Sequence, residues 1–186
     1  CIESMLYTSK TIRKLGRVDH QDAYLDYDNQ ERERGITIYS KEAHFHWKDS
    51  EIYLIDTPGH VDFSSEMERS LQVLDLAILL INGQDGIQSH TSTIWKCLKH
   101  YKIPTLIFIN KMDKGNPSFD EIMTDIVTKL GKTCVPFTYP LGHNDNFDGF
   151  VNVVDLKARK YNGKECVDDI IYEDKKLKVF ELHNTI

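Results

Sequence analysis

Asp56-Thr57-Pro58-Gly59-His60 closes an apolar run, Glu51 to Ile55, and sets an acid, a glycine and an imidazole within five residues. A carboxylate at a strand tip can hold a hydrated Mg²⁺, and a glycine lets the backbone N–H come close to a terminal phosphate. At roughly 5% usage per residue type, a given pentapeptide arises in a chain of this length with odds on the order of one in ten thousand. An ordinary strand-exit turn explains the Pro and the Gly, but not the acid and imidazole on either side. Asn110-Lys111-Met112-Asp113 follows a second apolar run, Thr105 to Ile109. Its Asp carboxylate can accept the paired N–H groups of a guanine edge, while Asn offers an amide and Lys an apolar stem to lie along a purine. Upstream, Arg34-Gly35-Ile36-Thr37-Ile38 delivers a Thr hydroxyl and carbonyl that can complete Mg²⁺ coordination when a γ-phosphate is present. Taken singly, the second cluster reads equally as a polar turn and the third as a strand start with a β-branched residue. Their order, each against an apolar run, gives them weight.

The elements that must position these residues follow from hydrophobic period. Ala77 to Asn82 (AILLIN) and Thr105 to Asn110 (TLIFIN) are short continuous apolar runs, as expected of parallel strands covered on both faces. Helical spacing marks Ser64 to Asp75 (Met67, Leu71, Leu74), Ser92 to Tyr101 (Ile94, Cys97, Leu98) and Phe119 to Leu130 (Ile122, Ile126, Leu130). This β-α-β-α succession predicts a doubly wound parallel sheet with its ligand off the carboxyl ends of the strands. Ile36 to Trp47 and Glu51 to Asp56 predict a hairpin joined at Lys48-Asp49-Ser50. Ile2, Met5 and Leu6 begin a helix with no capping residue before it, so the helix is expected to have been entered upstream. Gly16 to Gly35 is a long polar stretch without apolar period, a candidate switch or lid. Beyond Gly131 the texture changes to short strands at Cys134 to Pro140, Gly149 to Asp155 and Lys157 to Asn162, then a helix over Asp174 to His183.

Composition sets the bounds. At 186 residues the chain is one domain, or one domain and the start of another. With 40% hydrophobic residues it can bury a core, and it has no unbroken apolar stretch of membrane-helix length. A net charge of -6 argues against coating nucleic acid with a basic face. Cys1, Cys97, Cys134 and Cys166 form no C-x-x-C pair, which fits free thiols in a reducing cytoplasm better than a zinc knuckle or disulfide framework. His44 and His46 have strand spacing but lack a third ligand nearby, so they read as surface or packing residues.

The ordered set R-G-I-T-I, D-T-P-G-H and N-K-M-D, with ERSLQVLDLAILLINGQDGIQSHT between the last two, resembles the GTP-binding domain of translational GTPases, within these the elongation factor G group. TIRKLGRVDH, DFSSEMERSLQVLD and PLGHNDNFDGFVNVVDL are similar to the same family, so the resemblance covers nearly the whole chain. It implies a Ras-like P-loop NTPase fold of the α/β class, with a mostly parallel sheet, an antiparallel edge hairpin and the start of an inserted α+β subdomain. Residues 1–131 would be the GTP-binding core and 132–186 the beginning of that subdomain. By the same resemblance Thr37 and Asp56 serve Mg²⁺, Asp56 through water. Gly59 contacts the γ-phosphate, Asn110, Lys111 and Asp113 hold guanine, His60 is catalytic, and Ile36 forms half of an apolar gate beside the attacking water. The implied ligands are GTP or GDP with Mg²⁺. The implied partner is the ribosome, reached by a cytoplasmic, monomeric full-length protein, with neither membrane attachment nor sequence-specific nucleic-acid binding by this stretch.

Two family elements are missing from the text. No G-x-x-x-x-G-K-[ST] loop occurs; Gly131-Lys132-Thr133 has the right tail, but position 126 is Ile and the triplet ends a helix rather than opening one. The family's loop would lie immediately before Cys1, and its Ser-Ala guanine-side motif after the inserted subdomain, so the text is expected to be a fragment of a multidomain protein. Without the loop this stretch alone is expected to be inactive. The alternatives are a ribosome-protection or release-type GTPase of the same architecture, and a non-catalytic interaction module lacking the phosphate loop. An ATPase is disfavoured by Asp113, whose acceptor matches guanine and would leave adenine poorly paired.

Overall fold

The computed structural model describes residues 1–16, 24–25, 38–59, 62, 64–112, 118–142, 146–163 and 165–186. These divide into two compact units, Cys1–Asp75 with Cys97–Ile103, and Leu76–Lys96 with Pro104–Ile186.

In the first unit, helix α1 (Ile2–Thr8) has no side-chain cap at Cys1. Strands β1 (Lys41–Trp47) and β2 (Ser50–Asp56) form an antiparallel hairpin about the turn at Lys48 and Asp49, with Lys48 in the left-handed region at φ 53. Period-2 alternation gives the hairpin two faces. Ala43 and Phe45 are buried with Leu6, Ile12 and Leu25, and Ile52 and Leu54 pack against them, while His44, His46, Glu51 and Tyr53 point outward. β1 is shorter than the hydrophobic pattern predicts, starting at Lys41, and Ser50 belongs to β2 as the partner of Trp47. Helix α2 (Ser64–Leu71) buries Met67 and Leu71 and stops before Leu74, because the chain turns at residues 72–73. The Ser70 hydroxyl accounts for α2's attachment to the hairpin's approach. It donates to the Glu66 carbonyl at 3.1 Å and lies 2.7 Å from the Ser40 hydroxyl. Of the long polar stretch, Glu3 accepts from the backbone N–H groups of Gly16 (3.1 Å) and Tyr24 (2.6 Å); residues 17–23 and 26–35, where the switch is expected, lie outside the described residues.

In the second unit, β3 (Ala77–Asn82) and β4 (Thr105–Asn110) pair in parallel, residue for residue from Ala77 with Thr105 to Asn82 with Asn110. Both strands fall where the apolar runs place them. Helix α3 (Ser89–His100), of which residues 89–96 belong to this unit, starts three residues earlier than its spacing predicts. Helix α4 (Phe119–Lys129) opens with a capping box in which Ser118 and Glu121 satisfy each other's backbone N–H groups. Ile122, Ile126 and Leu130 of the α4 segment bury Leu79 and Ile81 of β3 together with Ile87; Ile94, Trp95, Ile107 and Ile109 pack against this cluster. The Trp95 indole N–H donates to the Leu130 carbonyl at 2.6 Å. The opposite face leaves Leu80 48%, Phe108 43%, Leu106 42% and Ile78 37% exposed, because the packed segments all lie on the Leu79–Ile81 side.

Beyond Gly131, β5 (Thr138–Leu141), β6 (Gly149–Asn152), β7 (Lys157–Tyr161) and β8 (Cys166–Asp169) form an antiparallel sheet in that order. Helix α5 (Glu173–His183) lays Val179 on Leu141, Val151 and Ala158. β5 starts later than predicted because Pro136 cannot join a ladder, whereas Pro140 is tolerated on this edge strand. The pattern does not reveal β8: Cys-Val-Asp-Asp is short, charged and mostly exposed, as edge strands often are. Lys178 of α5 pairs with Asp120 of α4 at 3.0 Å, and the Phe119 and Tyr139 rings meet edge-on at 4.8 Å.

The connection leaving β3 is held by one carboxylate. Asp125 of α4 accepts the Ile87 N–H at 3.1 Å and pairs with Lys129 at 2.8 Å, while the Lys129 ammonium also donates to the Ile87 carbonyl at 3.0 Å. Burial opposes ionisation of Asp125, but the Lys129 and Ile87 hydrogen bonds outweigh it and hold the carboxyl below its ordinary value. A folded pKa below the unfolded one stabilises above about pH 4, the unfolded value, and that contribution disappears as pH falls through the folded value. Asp125→Asn should therefore cost about 1 kcal/mol in urea unfolding near neutral pH. The difference from the parent chain should shrink below about pH 4, and a pH-independent difference would contradict this linkage.

Candidate functional site: two strand exits

β2 delivers the first exit. Asp56 is its last residue and is half-buried. The hairpin register sets Asp56 directly opposite Lys41, which is only 3% exposed, so a buried lysine occupies the cross-strand position beside the acid. Sequence reasoning missed Lys41; its signal was a lysine in phase with Ala43 and Phe45 on the inward face. Pro58 is fully buried and anchors the turn, after which Gly59 is exposed. Gly59 does not have a left-handed φ, and a Cβ added there would meet none of the described residues within 4 Å. Gly149 is the contrast, since a Cβ there would overlap the Arg159 carbonyl. The fold thus requires glycine at 149 and leaves clearance at 59. Clearance beside a hard oxygen ligand at a strand tip fits a phosphate with its Mg²⁺.

β4 delivers the second exit, in the other unit. Asn110 ends the strand exposed, and its carbonyl accepts the Gly83 N–H at 2.8 Å, tying the exits of β3 and β4 together. Asn82, its partner in register, folds back on its own turn: its side-chain oxygen accepts the Gln84 N–H at 3.1 Å and its amide donates to Asp85 at 2.5 Å. The matching Asn ends of AILLIN and TLIFIN were the available signal for Asn82. Lys111 is exposed and left-handed at φ 61, a conformation that costs a non-glycine residue about 1 kcal/mol and concentrates at functional sites. The structure therefore gathers Asp56 with Gly59, and Asn110 with Lys111. Ile36, Thr37, His60 and Asp113 lie outside the described residues.

Residues 1–181 match the family described as the elongation factor Tu GTP binding domain. The chain belongs to that family. Among curated proteins it is 37% identical over 187 residues to elongation factor G of Mycoplasma genitalium, covering 99% of this chain and 27% of that protein. It is 40% identical over 161 residues to elongation factor G of Mycoplasma pneumoniae, covering 87% of this chain and 23% of that protein. The chain thus spans about a quarter of the length of these relatives. A crystal structure from Thermus thermophilus superposes with a TM-score of 0.92 over 98% of this chain and 27% of that one, at 23% identity, which shows the shared fold. The elongation factor Tu-type GTP-binding domain is a Ras-like P-loop NTPase fold, and the parallel β3–β4 pair, the antiparallel β1–β2 hairpin and the flanking helices accord with it. The chain is thus an elongation factor Tu-type GTP-binding domain closely related to that of elongation factor G.

If ligand clearance rather than backbone geometry explains Gly59, Gly59→Ala should change urea-unfolding stability by no more than about 0.5 kcal/mol. A loss above about 1 kcal/mol would mean that the fold itself demands glycine there.

Proposed function

We propose that the chain is the nucleotide-binding part of a ribosome-dependent, elongation factor G-like GTPase, whose GTP hydrolysis is linked to movement along messenger RNA or to ribosome recycling. Residues 1–131 are the GTP-binding core and 132–186 begin an inserted subdomain of a monomeric cytoplasmic protein. The observation that carries the reading is the D-T-P-G-H exit of β2, with an acid at the strand tip and unfilled space at Gly59, in a chain of this family.

The proposed roles follow from the chemistry of each side chain. Asn110, Lys111 and Asp113 hold the guanine, Asp113 by accepting its paired N–H groups and Lys111 by laying its stem along the ring. Gly59 offers its backbone N–H to the γ-phosphate, and Asp56 with Thr37 would hold Mg²⁺, Asp56 through water. Mg²⁺, when bound, neutralises charge developing on the β- and γ-phosphate oxygens. His60 orients the attacking water in line with the γ-phosphorus, and Ile36 screens that water on one side. Alignment of His60 by the ribosome is the step that would release hydrolysis.

GTP hydrolysis by the full-length parent protein, with and without ribosomes, tests this. Ribosomes should stimulate the rate, and His60→Ala should lower the stimulated rate by about 100-fold or more while GTP still binds. Full stimulated hydrolysis in the variant would remove His60 from its role. Bound GTP without any stimulation would overturn the ribosome-dependent reading.

A further inference from the structure

The outward face of the β1–β2 hairpin carries three ligating side chains for which the nucleotide chemistry has no use. His44 and His46 alternate onto that face, and the antiparallel register supplies the third donor that their spacing alone lacks. Glu51 is paired directly with His46 and lies diagonal to His44, whose own partner is Tyr53. The His44 Nε2 atom is 2.7 Å from Glu51 Oε1, and His46 Nε2 is 3.9 Å from the same oxygen. One donor atom from each residue lies within 4.8 Å of the other two. The His44 ring stacks on Tyr53 at 4.5 Å and meets His46 edge-on at 5.1 Å, so both imidazoles are oriented by strand neighbours rather than by a loop.

We propose that His44, His46 and Glu51 form a binding site for a divalent ion of the nickel–copper–zinc group, separate from the nucleotide's Mg²⁺ and independent of the GTPase reading. Two imidazoles and one carboxylate are borderline donors that suit these ions, whereas Mg²⁺ and Ca²⁺ take oxygen ligands. Bonds of about 2.0–2.1 Å at tetrahedral angles put donor atoms about 3.4 Å apart. The observed 2.7 and 3.9 Å of the two histidine–carboxylate pairs bracket that spacing, and all three donors lie within 4.8 Å of one another, so binding of the ion needs each pair of donors to part or close by no more than about 1.5 Å. The side chains can make this adjustment: they are 40%, 71% and 51% exposed for His44, His46 and Glu51. Three protein donors leave the fourth position to water or to a donor from another molecule. Because both strands supply ligands, the bound ion would clip the hairpin and stabilise the folded chain by mass action.

Zinc titration of the intact chain, followed by the imidazole nitrogen-15 resonances, tests the site. One equivalent of Zn²⁺ should move the His44 and His46 signals together and leave those of His100, exposed elsewhere in the same unit, in place. His46→Asn and Glu51→Gln should each weaken binding by about tenfold or more, the least that loss of a ligand costs, and His100→Asn should not change it. Unmoved His44 and His46 signals in excess zinc would overturn the proposal. So would wild-type affinity in His46→Asn, since the zinc would then sit elsewhere, for example on the free thiols.

Discussion

Packing of Leu79 and Ile81, with Ile107 and Ile109 beside them, against Ile122 and Ile126 of α4 is the constraint on which the second strand exit depends. Strand side chains alternate with a period of two, so a one-residue slip of β4 along β3 would turn its packed isoleucines away from α4. The apolar face therefore fixes the register, and the register fixes that Asn82 and Asn110 end together. Once they do, the Gly83 N–H reaches the Asn110 carbonyl, and Lys111 leaves the strand through a left-handed residue. The polar residues at the tip contribute little to holding the sheet. They are placed by the buried residues of the strands and of α4.

The hairpin of the first unit works by the same logic with opposite strand direction. Ala43, Phe45, Ile52 and Leu54 bury one face against Leu6, Ile12 and Leu25, and this choice of face sends His44, His46 and Glu51 outward together. The same register sets a buried lysine, Lys41, across from Asp56 at the strand tip. One burial decision thus arranges two chemically different edges of the hairpin: one carrying Asp56 with Lys41 across from it, the other carrying His44, His46 and Glu51.

Much of this was legible in the sequence, for reasons particular to each element. AILLIN and TLIFIN are continuous apolar runs ending in Asn, and β3 and β4 have those very limits. α4 was equally legible because Ile122, Ile126 and Leu130 repeat at helical spacing, and the capping box of Ser118 and Glu121 opens it where that spacing begins. Short-range pattern misled where a local constraint or a neighbour decides. α2 stops at Leu71 despite the well-spaced Leu74, and β8 has too much charge and too few residues to show any alternation. Lys41 and Glu51 were invisible as site residues because their significance comes from a partner on the opposite strand, and a linear reading gives spacing within a strand more readily than register across it. For Gly59, sequence supplied both the residue and the expected reason, close approach of a phosphate. The absence of any described residue within 4 Å of an added Cβ distinguishes it from Gly149, whose lack of a side chain serves the fold.

The proposed guanine-binding role of Asn110, Lys111 and Asp113 is the reading to test first. Equilibrium binding of GTP and ATP to the full-length parent protein, repeated with Asp113→Ala, tests it most directly. The account predicts that GTP binds about 100-fold or more tightly than ATP, because a desolvated acceptor left without its N–H partners rejects the wrong base, and that Asp113→Ala narrows the gap. Comparable affinity for the two nucleotides, or a preference that survives removal of the Asp113 carboxylate, would contradict it.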